Sequence, residues 1–290
     1  MKTKTSFRRL AGALALGVFG LGSFSARAAG PLSELYLTVG ETNLAGIQGT
    51  TVLFNVAQSP TGQFQSPLAV NSTVRTIGDS SGETGREYTL TGTSMGTSYS
   101  QPAVLGGDSV YDGTSDGSWN YVWDYDTGTA YKFGLDWSGG TSLFSIGTSA
   151  GNRMGIAHDR SNNSLWVSGY YGTAGTLISN FSLTGTLLSS FNVPHLLNAA
   201  LALDPADGTL WLNSVGVATS STTTLEQFAR SLAGSFGGTE SPLSTQVYGV
   251  NGFTFGGDFQ SVPEPTTWVM LLGGLGLLGC VQRFRGTGNR

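Results

Sequence analysis

Cysteine is almost missing from this sequence. The 290 residues hold one, Cys280, close to the C-terminus. That excludes disulfides and a cysteine-rich metal cluster, so the central part of the chain must be held together by its core alone. Histidine is nearly as scarce, with only His158 and His195. A metal site made of several histidines is excluded by that count. A serine-based triad would also need a nucleophile activated by a base that an acid orients, and the hydroxyl residues are too many for one to be singled out. Charged side chains make up 11% of residues and are unevenly spread. Lys2, Lys4, Arg8, Arg9 and Arg27 lie near one end, and Arg283, Arg285 and Arg290 at the other. Between residues 29 and 262 stand six basic side chains (Arg75, Arg86, Lys132, Arg153, Arg160, Arg230) against 17 acidic ones. A body near −11 repels nucleic acid, which excludes that class of partner.

Glycine, by contrast, is abundant, with 44 residues, and aromatics reach 11% within an apolar fraction of 39%. The chain has enough apolar surface to fold around a core and is not disordered by composition. Plentiful Gly, Ser and Thr with few Lys reads as many short strands joined by tight turns. The expected class is all-β.

The two ends read as addresses. Residues 1–28 have the three parts of a secretion signal: basic Lys2 to Arg9, an apolar run from Leu10 to Phe24, and Ala26-Arg27-Ala28. The A-x-A site formed by Ala26 and Ala28 predicts cleavage before Ala29 by signal peptidase, after passage through the Sec translocon. At the other end, residues 262–290 hold Pro263-Glu264-Pro265, then an uncharged and mostly apolar run from Thr266 to Val281, then Arg283 and Arg285. The run is shorter than the ~20 residues of an ordinary span and is broken by Gly273, Gly274, Gly276 and Gly279. The arginines should stay cytoplasmic. These three parts, in this order at the terminus, resemble the PEP-CTERM sorting signal. The resemblance covers about the last 30 residues. It implies a Gram-negative host that makes exopolysaccharide, and a membrane-embedded exosortase that recognises the Pro-Glu-Pro box and cleaves near it. The protein would then pass through an inner-membrane intermediate to the cell surface or extracellular matrix. Pro263 and Pro265 cannot continue a helix and keep the box extended.

The part between, residues 29–261, repeats itself. Gly155-Ile-Ala-His-Asp159 with Ser161 to Trp166 matches Ala200-Leu-Ala-Leu-Asp204 with Ala206 to Trp211. Each Asp precedes its Trp by seven residues, and the two tryptophans are 45 apart. A looser copy opens at Asp116-Gly117-Ser118 and runs into Trp119 to Trp123. Each unit reads as strand, turn, Trp-bearing strand, strand, Gly turn, strand. That is the pattern of a β-propeller blade, and the body has room for about five. Gly252 to Gly256 reads as a first strand without a partner, and Leu35 to Val39 as a second strand without one. Pairing them would close the ring. Residues 57–107 resist placement, and a jelly-roll sandwich is the alternative fold.

Candidate site residues are few. Trp119, Tyr121, Trp123 and Tyr125 alternate along one strand and so share a face, where they would stack on sugar rings or pack in the core. Trp166 and Trp211 read as core between blades. Asp112, Asp116, Asp124 and Asp126 sit in Gly-containing turns, with Asp108 and Asp136 nearby; they offer oxygen ligands for calcium but fit no full EF-hand loop. His158 occupies an apolar strand position beside Asp159, with no activated nucleophile in sight. The expected function is a non-enzymatic surface or matrix protein that binds exopolysaccharide or another protein. A secreted polysaccharide hydrolase or lyase and a spacer without ligand are the alternatives. The hydrolase requires two carboxyl groups converging in one pocket.

Overall fold

The 45-residue repeat becomes a four-stranded blade, and five blades close a ring. The computed structural model describes residues 30–260 apart from 41, 108, 148–152, 171–174, 195–196, 215–220 and 251. The signal segment 1–28, residues 262–290, Asp108 and His195 lie outside the described residues. Blade one contains β1 (Leu35–Val39), β2 (Asn43–Gln48), β3 (Thr51–Ala57) and the last strand, β21 (Thr254–Phe259), in the order β21-β1-β2-β3. Blade two is β4 (Leu68–Val70), β5 (Val74–Thr76), β6 (Thr84–Tyr88) and β7 (Ser94–Ser100). Blade three is β8 (Val110–Ser115), β9 (Asn120–Asp124), β10 (Thr129–Phe133) and β11 (Thr141–Ser145). Blade four is β12 (Arg153–Asp159), β13 (Ser164–Tyr170), β14 (Thr176–Ser182) and β15 (Leu187–Val193). Blade five is β16 (Leu197–Leu203), β17 (Leu210–Ser214), β18 (Thr223–Phe228) and β20 (Ser244–Tyr248). Between β18 and β20 the chain crosses to blade four, where β19 (Gly238–Thr239) pairs in parallel with β15.

Ring closure is as the sequence predicts. β21 pairs antiparallel with β1, Leu35 opposite Phe259 and Leu37 opposite Gly257. Segments 215 residues or more apart in the chain thus share one sheet, and the innermost strand of blade one keeps no unpaired flank on that side. The jelly-roll alternative does not form. Residues 57–107 supply blade two, and the reason for their illegibility is length: β4 and β5 have three residues each, too few to display an alternation of period two.

The core lies between blades, in five apolar layers. Trp166 packs with Phe191, Leu201 and Phe228 between blades four and five. Trp211 takes the equivalent place between blades five and one, with Leu37, Ala200 and Tyr248. Both indoles are buried, as expected of core residues.

Five inner strands (β21, β4, β8, β12, β16) face a common axis. All run in the same direction, and at their C-terminal ends lie the short loops into the second strand of blades two to five and, in blade one, the end of β21 beside the start of β1. That end of the ring carries the site described next.

Candidate functional site

An inner strand has one edge in its own sheet and one on the axis, and the axial N–H groups need acceptors. Asp112, at the middle of β8, supplies four. Its Oδ1 accepts from Gly257 N–H at 2.7 Å and Gly113 N–H at 2.9 Å, and its Oδ2 from Ile156 N–H and Leu201 N–H, both at 2.9 Å. One fully buried carboxyl thereby joins four of the five inner strands. Burial pushes this carboxyl well above the ordinary carboxylate range, and the four backbone donors oppose the rise.

One layer nearer the C-terminal ends, Asp258 of β21 repeats the device. Its Oδ2 accepts from Val70 N–H at 2.8 Å and Ser115 N–H at 3.1 Å, and its Oδ1 from the Thr114 hydroxyl at 3.0 Å. Thr114 Oγ1 in turn accepts from His158 N–H at 3.2 Å. Burial raises Asp258 to about 7, against the pull of these donors and of Arg160.

Above this floor opens a funnel of about 850 Å³, within the range of ligand pockets. Its walls include His158, Arg160, Asp204, Arg230, Phe259 and Gln260. His158 lies flat against Tyr121, ring centroids 5.5 Å apart and 6° from parallel. Its Nε2 is 3.0 Å from Asn163 Oδ1, and its buried Nδ1 has no partner. Burial lowers its pKa, so the imidazole is neutral at neutral pH.

The carboxylates of the funnel are already engaged. Asp159 is held by Arg230 Nη1 at 2.9 Å and by Trp166 Nε1 at 3.1 Å, so it does not orient His158. Asp204 accepts from Leu32 N–H at 2.7 Å, Ser33 N–H at 3.1 Å and the Ser33 hydroxyl at 2.6 Å, which fastens the N-terminal segment to blade five. Asp207 holds Thr209 and Gln227. The Asp-Trp repeat therefore has one geometry and two chemistries. In blade four the Asp accepts from its Trp, whereas in blade five it has been taken by the N-terminal segment and Trp211 Nε1 is left without a partner.

The sequence-predicted residues are placed as follows. The expected face of four aromatics is not an exposed row. Tyr121 and Trp123 are buried between blades three and four, because both faces of β9 are covered. Tyr125 meets Tyr111 edge-on, and Trp119 alone stands well exposed, at 43%, with Lys132 Nζ 4.4 Å over its ring. The four aspartates do not converge. Asp112 is on the axis. Asp116 accepts from Ser118 and Trp119 N–H and from the Tyr121 hydroxyl, all at 2.7 Å. Asp124 closes its turn on Asp126 and Thr127 N–H, and Asp126 takes Ser109 N–H. Among the described residues no three of His, Cys, Asp and Glu come together to hold a metal ion. Sequence reasoning missed Asp258, Asp204 and Arg230. The repeat hinted only at Asp204, which aligns with Asp159.

Compared with curated proteins, the chain matches none. Among solved structures it is similar to a protein of unknown function from Bacteroides caccae, at 12% identity and TM-score 0.43, over 74% of this chain and 72% of that one. It is also similar to the glutaminyl cyclase of Myxococcus xanthus, at 16% identity and TM-score 0.44, over 70% and 74%. A functionally unknown protein from Desulfotomaculum acetoxidans DSM 771 matches at 16% identity and TM-score 0.43, over 77% and 74%. Residues 261–285, which follow directly on β21, match the PEP-CTERM protein-sorting motif. The chain is thus an exported, exosortase-sorted protein that carries a PEP-CTERM motif behind a five-bladed β-propeller.

Proposed function

We propose that the propeller is a binding module without catalytic activity, displayed at the surface or in the extracellular matrix of a Gram-negative cell. Its ligand is exopolysaccharide or another matrix protein, taken in the axial funnel. Residues 1–28 act as a signal peptide cleaved after Ala28, and the exosortase removes the tail near Pro263-Glu264-Pro265.

The observation that carries this reading is the state of the funnel's carboxylates. A glycosidase needs one free acid and one free base or nucleophile facing a sugar. Here Asp159, Asp204, Asp207 and Asp258 already accept from protein donors. What the funnel still offers is hydrogen-bonding capacity at its walls, as at Gln260, which suits a polyhydroxylated chain. The test is affinity electrophoresis of the processed protein in gels containing extracted exopolysaccharide, with and without calcium, beside the variants Gln260→Ala and Arg160→Ala. Retardation that weakens in both variants supports the reading. Equal mobility in every gel refutes the polysaccharide ligand, and reducing sugar released from the polymer refutes the non-catalytic role.

A further inference from the structure

Blades four and five carry the same polar row across their last three strands, and one of the two rows is incomplete. In blade five, Gln227 stands opposite Trp211 on one side and Ser244 on the other. Its carbonyl accepts from the Ser244 hydroxyl at 2.9 Å, and its Nε2 donates to Thr209 Oγ1 at 3.0 Å and Asp207 Oδ2 at 3.3 Å. In blade four, Asn180 stands opposite Trp166 and Ser189. Asn162 takes the place of Asp207 there, 45 residues earlier. Asparagine is one methylene shorter than glutamine. Asn180 Oδ1 is buried without a partner, and Asn162 Oδ1 accepts from the Ser164 hydroxyl instead. A buried acceptor left open is costly, and in folded proteins such a group is met by water, an ion or a ligand.

Asn180 borders a cleft of about 240 Å³ in the seam between the two blades, which shares Asp159, Ser161 and Arg230 with the funnel. Its outer wall is the strap that leaves blade five after β18. The strap is pinned to blade four by Gly234 N–H on Leu188 O and by Ser190 N–H on Ser235 O, both at 2.9 Å. It brings Ser231, whose Oγ is also buried and unpartnered, and Leu232, which is 80% exposed at the cleft. Among the described residues Arg230 donates from Nη1 alone, to Asp159 and Ser161, so the N–H groups of Nε and Nη2 are unspent. The cleft thus combines an open acceptor, open donors and the apolar side chains of Leu188, Leu232 and Ala233. It is smaller than the roughly 300 Å³ at which ordinary ligand pockets begin, so it admits one substituent of a sugar and not a polymer chain.

We propose that this cleft is a subsite for the acetamido group of a neutral N-acetylated sugar. Such a group has one N–H, one carbonyl and one methyl. With its amide turned into the cleft, Asn180 accepts the N–H. Ser231 or the spare edge of Arg230 donates to the carbonyl, and the methyl packs against Leu188 and Leu232. The sugar is uncharged because the Arg230 cation is already balanced by Asp159 at 2.9 Å. The subsite rests on the glycan-binding reading above, but not on the funnel being where the polymer lies.

Saturation-transfer NMR on the protein isolated from its native host, with free N-acetylglucosamine and free glucose as probes, tests this. Saturation should reach the acetyl methyl and exceed any glucose signal several-fold. Two variants locate the site. Asn180→Gln adds the methylene that blade five has, so its amide can meet Ser189 and Asn162 as Gln227 meets Ser244 and Asp207. It should raise the melting temperature and cut the acetyl signal several-fold, a pair of changes that a purely structural role for Asn180 would not produce. Ala233→Phe, at an exposed position of the strap, should fill the cleft and cut the signal with the melting temperature unchanged, which keeps the test valid if Asn180→Gln fails to fold. No acetyl signal, equal signals from the two sugars, or an acetyl signal that both variants leave intact overturns the proposal. If the acetyl signal is absent while exopolysaccharide gels still retard the protein, the subsite falls and the binding reading stands. If the signal behaves as expected and no gel retards the protein, the subsite stands and the polymer in the funnel falls.

Discussion

The carboxyl group of Asp112 accepts the backbone N–H of Leu201 at 2.9 Å, across the axis of the ring and 89 residues along the chain. The same oxygen also takes Ile156 N–H, and the other oxygen takes Gly113 and Gly257. A propeller has few ways to fix its blades at the centre, since the axial edges of its inner strands carry no ladder. One side chain with four acceptor positions supplies four blades at once, and the energetic consequences follow from which groups each substitution would leave bare.

Asp112→Asn keeps one carbonyl oxygen, but turns an NH₂ toward two backbone donors whichever way the amide lies. Each buried donor left without an acceptor costs roughly 1–3 kcal/mol, so this substitution should destabilise by about 2–6 kcal/mol in total. Asp258→Asn should cost far less. Its carbonyl can keep Val70 and Ser115 while its NH₂ donates to Thr114 Oγ1. Urea unfolding midpoints of the two variants check the ordering.

Asp258 also makes stability depend on pH near neutrality. Its folded carboxyl, raised to about 7 by burial, binds a proton more tightly than the unfolded chain does. The contribution is therefore complete below the ordinary carboxylate range and is lost as the pH rises through about 7. Melting temperature should fall between weakly acidic and weakly alkaline buffer, and Asp258→Asn should flatten that slope. An unchanged slope in the variant would place the titration elsewhere.

Trp166 and Trp211 occupy the same repeat position, yet replacing each by Phe should not cost the same. Trp166→Phe loses the bond from Nε1 to Asp159 and leaves the buried carboxylate of a half-exposed ion pair one donor short. Trp211→Phe removes an indole N–H that has no partner. With similar volumes lost from similar cores, Trp166→Phe should be the more destabilising by about 1–2 kcal/mol. Parallel chemical denaturation of the two proteins measures the difference.

Gly256, on β21, lies against the segment that leads into β4. A Cβ there would overlap the carbonyl oxygen of Ser66 and press on Thr38 Oγ1, which itself donates to that carbonyl at 2.9 Å. Gly256→Ala should therefore strain the joint between blades one and two and destabilise by several kcal/mol, of the order seen for core overpacking. Gly238→Ala, on an open edge with nothing within reach of a Cβ, should stay within about 0.5 kcal/mol of the parent. Thermal melts of the pair test the contrast.

The sequence by itself determined the class of fold, the ring and its closure. Strand periodicity is local, a tryptophan recurring after 45 residues reports a repeated environment, and two unpartnered end strands can satisfy their edges only on each other. It also determined the sorting motif, which is a linear signal. Tertiary structure alone decided what the polar residues do. Asp112, Asp116, Asp124 and Asp126 look alike in the chain, each in or near a glycine turn, but one lies on the axis and the others close local turns, because position in the ring is a sum over all preceding blades. In the same way the row of aromatics around β9 could be read as a binding face until blade four was placed over it. That β21 ends at the funnel, with Phe259 and Gln260 in its wall, depends on the direction in which the strand enters the ring, which no local pattern encodes.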